Sequence, residues 1–339
     1  MNTISHLFTT GLLILLLISY SNNGNGPDSG SDLVINKRAN PVLTKENGLI
    51  ADPSVIKDGD SLLMVYSDYS LQTDSITFNA ARSSDGVSWT PISNEEGFRI
   101  FAGDTASWDK LIETPELDII NNEYYLYYIG YPESNFDNGI YESEIGLATG
   151  TDISNLERVD TSLVVRRGGK KDENALTSPS VIEYNGIYYM IYTGWTNILT
   201  ASGFLGQTGA TSTDGINWQK TESEVFPEVQ DTKFKTATEA DLVKGPDGLF
   251  YLFFSAEGGI ALARSGQPFG PWEIYPEMII ESEFDCESGE VVAPSALIEN
   301  GKARIWYAGV VGDFTGASIG YAEIDFPFNW KRALQNPSI

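Results

Sequence analysis

The stretch Asp52-Pro-Ser-Val-Ile56, followed after a short turn by Leu63-Met-Val-Tyr-Ser67, recurs four more times along the chain. The copies are Thr114-Pro-Glu-Leu117 with Tyr125-Leu-Tyr-Tyr128, Ser178-Pro-Ser-Val-Ile182 with Tyr189-Met-Ile-Tyr-Thr193, Glu239-Ala-Asp-Leu-Val243 with Tyr251-Leu-Phe-Phe-Ser255, and Ala293-Pro-Ser-Ala-Leu297 with Ile305-Trp-Tyr-Ala308. Their starts lie 54 to 64 residues apart. Repeats of that length, built from β-rich units, are the signature of a propeller with one blade per repeat. The expected fold is therefore all-β: five four-stranded antiparallel blades around a central channel. Equivalent positions of a propeller converge on its axis, so residues as distant as Asp52 and Glu239 are expected to face one site.

Within each repeat, Asp58-Gly59, Asn121-Asn122, Asn185-Gly186, Asp247-Gly248 or Asn300-Gly301 separates two β-rich runs. Tight hairpin turns need positive φ, which these residue pairs supply. A second module reads Ala81-Arg-Ser-Ser-Asp85-Gly-Val-Ser-Trp89 and again Ala210-Thr-Ser-Thr-Asp214-Gly-Ile-Asn-Trp218. It is read as a third strand, a turn and an outer strand whose tryptophan packs between blades. The segment before Asp52 is expected to pair with residues near Ile319 to Ile324 and seal the ring. The glycine-rich stretches Gly203 to Gly209 and Gly309 to Gly316 have no following helix, so they are not phosphate cradles and read as loops.

Residues 1–22, with the apolar run Leu12-Leu-Ile-Leu-Leu-Leu-Ile18, read as a signal peptide. Residues 23–45 read as a flexible polar leader ending in the first closing strand, and 46–332 as the propeller. The apolar run is short for a bilayer span, and no cysteine near residue 20 supports a lipid anchor, so a periplasmic or secreted protein without membrane insertion after processing is expected.

The 339 residues carry a formal charge of −26, which argues against nucleic acid and anionic membranes as partners. The basic run Arg166-Arg167-Gly-Gly-Lys170-Lys171 is read as a solvated loop. The only histidine is His6 and the only cysteine Cys286. Histidine-dependent triads, histidine-ligated zinc and an intramolecular disulfide are thereby excluded after residue 22. What remains is carboxylate chemistry on a neutral ligand, and an aromatic content of 12% suits sugar rings.

The turn leading into each inner strand lies at the axial mouth of a propeller. The five equivalent residues there are Asp52, Thr114, Ser178, Glu239 and Ala293, two of them acids in non-adjacent blades. Glu113, Glu116, Asp118, Asp241, Glu287 and Glu290 flank these positions. A carboxylate pair across a channel can cleave a glycosidic bond: one member activates water or attacks, and the other protonates the leaving oxygen. Against this stands the habit of Asp before Pro as a plain turn former.

On Ala51-Asp52-Pro53, Thr238-Glu239-Ala240-Asp241 and the tyrosine-rich strands, from about Glu46 to Trp330, the chain resembles the five-bladed β-propeller glycoside hydrolases. That group includes families 43, 32, 62, 68, 117 and 130. The resemblance implies Asp52 as general base or nucleophile and Glu239 as general acid. It also implies an Asp in blade three that tunes the acid, but this chain reads Thr177-Ser178-Pro179 there, and blade four has Ala240-Asp241 where Gly-Pro is more usual. Glu113 and Asp241 are the candidate substitutes. Some relatives bind channel calcium, often through histidine; with none available here, no cofactor is expected.

The leading expectation is an exported, monomeric glycoside hydrolase acting on a neutral plant or algal oligosaccharide. Its catalytic residues would be Asp52, Glu239 and Glu113. Trp108, Asp241, Ser178, Trp195 and Glu290 would contact substrate, with Tyr69 and Tyr131 as further stacking aromatics. A carboxylate separation of about 5 Å would mean retention and about 6.5 to 9.5 Å inversion. The segments between Tyr131 and Glu144 and between Trp195 and Thr211 would wall one end of the channel and favour exo action. The alternatives are a non-catalytic sugar-binding propeller and a glycoside phosphorylase, which needs a basic cluster to hold phosphate.

Overall fold

The computed structural model describes residues 33, 35–37, 41–46, 48–70, 75–93, 97–132, 142–196, 204–312 and 315–330. The signal-peptide reading of residues 1–22 lies outside the described residues. Five antiparallel sheets form the ring. Their inner strands are Gly48–Asp58, Leu111–Ile120, Ala175–Tyr184, Thr238–Lys244 and Glu290–Glu299. Second strands run Ser61–Ser70, Glu123–Tyr131, Ile187–Trp195, Phe250–Ala256 and Lys302–Val310. Third and outer strands complete each blade, the outer one short except for Glu157–Val165 in blade two, and blade one carries an added strand, Arg99–Ala102, paired to its third.

Blade five takes its outer strand from the beginning of the chain. Ile35–Lys37 pairs with Ala322, Glu323 and Ile324, and Leu43 bridges to Ile319. The ring is thus closed by hydrogen bonds between opposite ends of the sequence, which spares it an open edge.

Second strands are apolar on both faces because each blade is sandwiched between two others. In blade one Leu63 and Val65 pack toward blade two with Leu117, Leu126 and Tyr128. Met64 and Tyr66, one residue out of phase, pack toward blade five with Trp306 and Tyr321. The period of two thus feeds two inter-blade cores from one strand.

The Ser-x-Asp-Gly-x-x-Trp turns close those cores from outside. Asp85 Oδ1 accepts the Val87 and Ser88 N–H groups at 2.8 and 2.7 Å, and Asp214 Oδ1 does the same for Ile216 and Asn217. These bonds hold the Asp85 carboxyl down at about 2 and that of Asp214 lower still. Trp89 stands edge-on to Trp306 at 6.0 Å, and Trp218 to Tyr127 at 5.8 Å, so these tryptophans are inter-blade packing.

The glycine-rich segments differ from the loop reading. Gly206 and Gly209 lie in the strand Leu205–Ser212, and Gly309 in Lys302–Val310. A Cβ on Gly209 would stand 2.8 Å from both the Met190 carbonyl oxygen and the Phe269 ring. Here glycine marks close approach within a sheet rather than a turn.

Three blades share a clamp that fixes the loop before the inner strand. Asp109 accepts the Tyr128 hydroxyl (2.8 Å) and pairs with Arg158 (2.7 Å). Asp172 accepts Tyr192 (2.9 Å) and pairs with Lys220 (3.0 Å). Glu287 accepts Tyr307 (2.7 Å) and pairs with Lys37 (2.6 Å), which fastens the closing strand. In each case the cation comes from the outer strand and the tyrosine from the second.

Candidate active site

Each inner strand breaks its register once, at Ala51/Ser54, Glu113/Glu116, Thr177/Ser180, Thr238/Asp241 and Val292/Ser295. The first bulged residue of each is left-handed: Asp52 (φ 51°), Thr114 (47°), Ser178 (50°), Glu239 (44°) and Ala293 (50°). A β-bulge of this kind bends the strand and re-aims a side chain. Because Ala293 shares the geometry, the strain is architectural, and Asp52 and Glu239 are the two of the five that put a carboxylate there. Proline follows four of the five, consistent with its tolerance at bulges.

The second residue after each bulge forms a closed ring of hydrogen bonds around the axis. Ser54 Oγ accepts Leu117 N–H (2.9 Å), Glu116 Oε1 accepts Val181 N–H (2.9 Å) and Ser180 Oγ accepts Leu242 N–H (3.0 Å). Asp241 Oδ2 then accepts Ala296 N–H (2.6 Å), and Ser295 Oγ accepts Val55 N–H (2.9 Å), returning to blade one. Ser54 and Ser180 also donate to Glu116 and Asp241, each at 3.0 Å. The ring and the bulges line an axial cavity of about 40 Å³, room for a water molecule or two but not a sugar. Burial raises Glu116 well above the usual carboxylate range, with the Asp241 charge adding to it, and burial raises Asp241 to about 6. Every oxygen of this pair accepts a hydrogen bond. Among the described residues no group of three or more acids, cysteines or histidines is arranged to hold a metal ion.

Asp52 and Glu239 also line this cavity, and both are partly buried. The Tyr69 hydroxyl donates to Asp52 Oδ2 at 3.2 Å. Burial raises the Asp52 carboxyl, while the Ser67 and Tyr69 hydroxyls and the Thr114 N–H pull it back. Ser255 Oγ donates to Glu239 Oε2 at 2.9 Å and accepts the Ala293 N–H at 2.9 Å. The Glu239 N–H is held by Thr193 Oγ1 at 3.1 Å, which in turn receives the Gln207 amide at 3.0 Å. Burial lifts Glu239 to about 8, helped by the charges of Asp52 and then Glu290 and opposed by Ser255 and the Ala293 N–H.

Glu113 is 1% exposed and accepts the Tyr131 hydroxyl at 2.7 Å. Its charge, like that of Asp52, bears on Tyr69, which places it on the Asp52 side of the mouth. Glu290 is raised to about 7 by burial alone. Ser178 lines the axial cavity and donates its N–H to Thr114 Oγ1 at 3.2 Å. Asp241 belongs to the ring below, its oxygens occupied. Trp108 lies face to face with Tyr128 at 6.1 Å, and Trp195 packs at the edge of the core between blades two and three. Much of the two wall segments, 133–141 and 197–203, lies outside the described residues. Ser255, Thr193 and the polar ring were not picked out from the sequence. A signal was present, since Ser54, Glu116, Ser180, Asp241 and Ser295 are all polar at one repeat position.

The basic run is spent on ion pairs. Arg167 meets Glu142 at 2.9 Å, Lys171 meets Glu224 at 3.6 Å and Lys170 meets Glu222 at 4.0 Å. Among the described residues no lysine or arginine forms an ion pair with Asp52, Glu239 or Glu290.

Residues 38–290 match the family described as Glycosyl hydrolases family 43. The extracellular endo-α-(1→5)-L-arabinanase 1 of Bacillus subtilis (strain 168) is 28% identical over 147 residues, which is 41% of this chain and 42% of that protein. The match thus spans less than half of that relative's length. Among solved structures, a glycosyl hydrolase from Bacteroides ovatus superposes with a TM-score of 0.66 at 14% identity, covering 90% of this chain and 96% of that one. A β-1,2-mannobiose phosphorylase from Listeria innocua gives 0.62 at 15%, covering 86% and 96%. A thermostable family-43 glycoside hydrolase gives 0.57 at 16%, covering 81% and 89%. At such identities the superpositions speak for the fold. The family match covers most of the chain, and with it the bulge carboxylates Asp52 and Glu239: this chain belongs to glycosyl hydrolase family 43.

Proposed function

We propose that the chain hydrolyses an O-glycosidic bond in a neutral oligosaccharide outside the cytoplasm, with Glu239 as general acid and Asp52 as base or nucleophile. The observation that carries this reading is the asymmetry between the two carboxylates. Burial raises both carboxyls, but Asp52 is pulled back by two hydroxyls and a backbone N–H, whereas Glu239, with one hydroxyl and one backbone N–H, is pushed up further by two neighbouring negative charges. As pH rises Asp52 releases its proton first, leaving the acid/base division that glycoside cleavage needs. Gln207 and Thr193 hold the Glu239 backbone from blade three, so the acid is oriented without a blade-three carboxylate.

A neutral substrate is supported by a mouth whose carboxylates have no cationic partner among the described residues. The same feature speaks against phosphorolysis, since phosphate would meet uncompensated negative charge. The arabinanase relative makes α-(1→5)-arabinan and its oligosaccharides the first substrates to try. Export is supported by the apolar run near the start and by the extracellular description of that relative. Among the described residues no helix is long and apolar enough to cross a membrane.

The test is an oligosaccharide-profile screen of the purified chain on arabinan, xylan, fructan and galactan fragments, with and without phosphate. Asp52→Asn and Glu239→Gln run beside it. Phosphate-independent turnover, lost in both variants, is the expected result, with kcat/KM declining above about pH 8 as Glu239 loses its proton. The serine at position 178 favours one rival, a sugar-binding propeller. Saturable sugar binding with no turnover in any variant would replace hydrolysis by that reading.

A further inference from the structure

In blade order, the second-strand residues that face the last paired position before each bulge are Ser67, Ile129, Thr193, Ser255 and Ala308. Ile129 and Ala308 show that the fold does not need a hydroxyl there. Two of the hydroxyls serve the next blade: Thr193 Oγ1 accepts the Glu239 N–H at 3.1 Å, and Ser255 Oγ accepts the Ala293 N–H at 2.9 Å. Blade two, with Ile129, leaves the Ser178 N–H to Thr114 Oγ1 instead. Ser255 has a second task. It stands opposite the bulge that carries Glu239, and its Oγ lies 2.9 Å from Glu239 Oε2.

The direction of that bond follows from the donors present. A backbone N–H only donates, so Ser255 Oγ is already an acceptor toward Ala293. Ser255 is 1% exposed, and among the described residues Glu239 Oε2 is the one acceptor for its proton. A buried donor turned away from its acceptor is penalised, so the hydroxyl points at Oε2. A protonated carboxyl accepts best at its carbonyl oxygen, and the oxygen that receives Ser255 is therefore the one without the proton. We infer that Ser255 is a positioning residue: it confines the proton of Glu239 to Oε1, and Oε1 is the oxygen that protonates the leaving group. This inference rests on the assignment of Glu239 as the general acid.

In the cleavage step the proton passes from Oε1 to the glycosidic oxygen as the bond from that oxygen to the anomeric carbon breaks, the electron pair staying on oxygen. Asp52, or a water it deprotonates, forms the new bond at the anomeric carbon. Glu239 is left as the anion, with Oε2 still accepting from Ser255. The acid is thus tied at both ends to second strands, at its N–H by Thr193 and at Oε2 by Ser255.

Neutron diffraction from a crystal of the deuterated chain reads both protons directly, at about pH 6 and so below the midpoint of about 8 for Glu239. A deuteron on Ser255 Oγ aimed at Glu239 Oε2, and a second on Oε1, are expected. A deuteron on Oε2, or none on Glu239, overturns the inference. The kinetic arm sets the oligosaccharide turned over in the screen beside the 2,4-dinitrophenyl glycoside of the same sugar, whose leaving group departs without a proton. Ser255→Ala should lower kcat on the oligosaccharide by about 10²-fold with KM little changed, and lower it far less on the dinitrophenyl glycoside. Ser255→Thr keeps the hydroxyl, at a position where blade three already has Thr193, and should restore turnover; its near-isostere Ser255→Val should not. Equal losses on both substrates, or equal rates in Ser255→Thr and Ser255→Val, would reduce Ser255 to a structural role. Should Ser255→Ala fail to fold, that last pair carries the comparison. The diffraction arm needs no substrate, so it decides where the proton sits even if the screen shows no turnover. Full turnover in Glu239→Gln would remove the general acid itself, whereas turnover lost in Glu239→Gln but kept in Ser255→Ala sinks this inference alone.

Discussion

Two sets of buried carboxylates divide this molecule. In the clamps, Asp109, Asp172 and Glu287 each meet a tyrosine hydroxyl and a cation from the outer strand. At the channel mouth, Asp52, Glu239 and Glu290 have no cation among the described residues, and the two glutamates hold protons to about 8 and about 7. One set is compensated by cations and fixes the frame; the other is not.

The comparison breaks most visibly in activity. Glu239→Gln and Asp52→Asn should each lower kcat by about 10³-fold. Asp52→Asn should retain or raise the melting temperature at pH 7, because it removes a partly buried charge with no cationic partner among the described residues, and Glu239→Gln, which replaces a carboxyl still protonated at that pH by a neutral amide, should leave it nearly unchanged. A fall in stability comparable to that of a clamp variant would erase the distinction between the two sets. Lys37→Ala is the opposite case. It leaves Glu287 buried at 0% exposure without its cation, and unfolding in urea should show a loss of about 3 to 5 kcal/mol. The N-terminal closing strand should exchange its amide protons faster in that variant.

A smaller effect separates the two sets by pH. The Glu239, Glu290, Glu116 and Asp241 carboxyls are all raised in the folded chain. Between about pH 4 and pH 8 the folded state therefore binds more protons than the unfolded one, and stability should fall as pH rises through that window. Glu116→Gln should flatten this slope. Its amide oxygen can still accept the Val181 N–H, and its NH₂ can donate to Ser54 Oγ. A slope unchanged in Glu116→Gln would show that the axial pair does not titrate in this range. The smallest effect belongs to the exposed turns: Asp85→Ala should cost about 1 kcal/mol or less and leave kcat unchanged. Because Asp85 is held down, its contribution should be present above about pH 4 and fade as pH falls through about 2.

Much of the frame was legible in the residues. The five repeats predicted the blades, the Asn-Gly and Asp-Gly pairs the hairpins, and the tryptophan modules the inter-blade packing, because each depends on contacts within a few residues or on a strict period of two. The glycine-rich stretches misled, since a glycine required by close approach to Met190 and Phe269 looks the same in sequence as one required by a turn. The clamps were invisible for a related reason: Lys37 and Glu287 are 250 residues apart.

By itself the sequence determined how many blades there are and that Asp52 and Glu239 occupy equivalent places in two of them, although it read as entry turns positions that lie at bulges one to four residues inside the inner strands. Those facts follow from local pattern and repetition. Only the tertiary structure decided which of the described acids meet cations and which do not, and that Glu113 accepts the Tyr131 hydroxyl while Tyr69 donates to Asp52. It also decided that Asp241 closes a ring of hydrogen bonds below the mouth. The reason is physical: burial and the field of neighbouring charges are properties of space around the axis, and a linear order of residues does not record them.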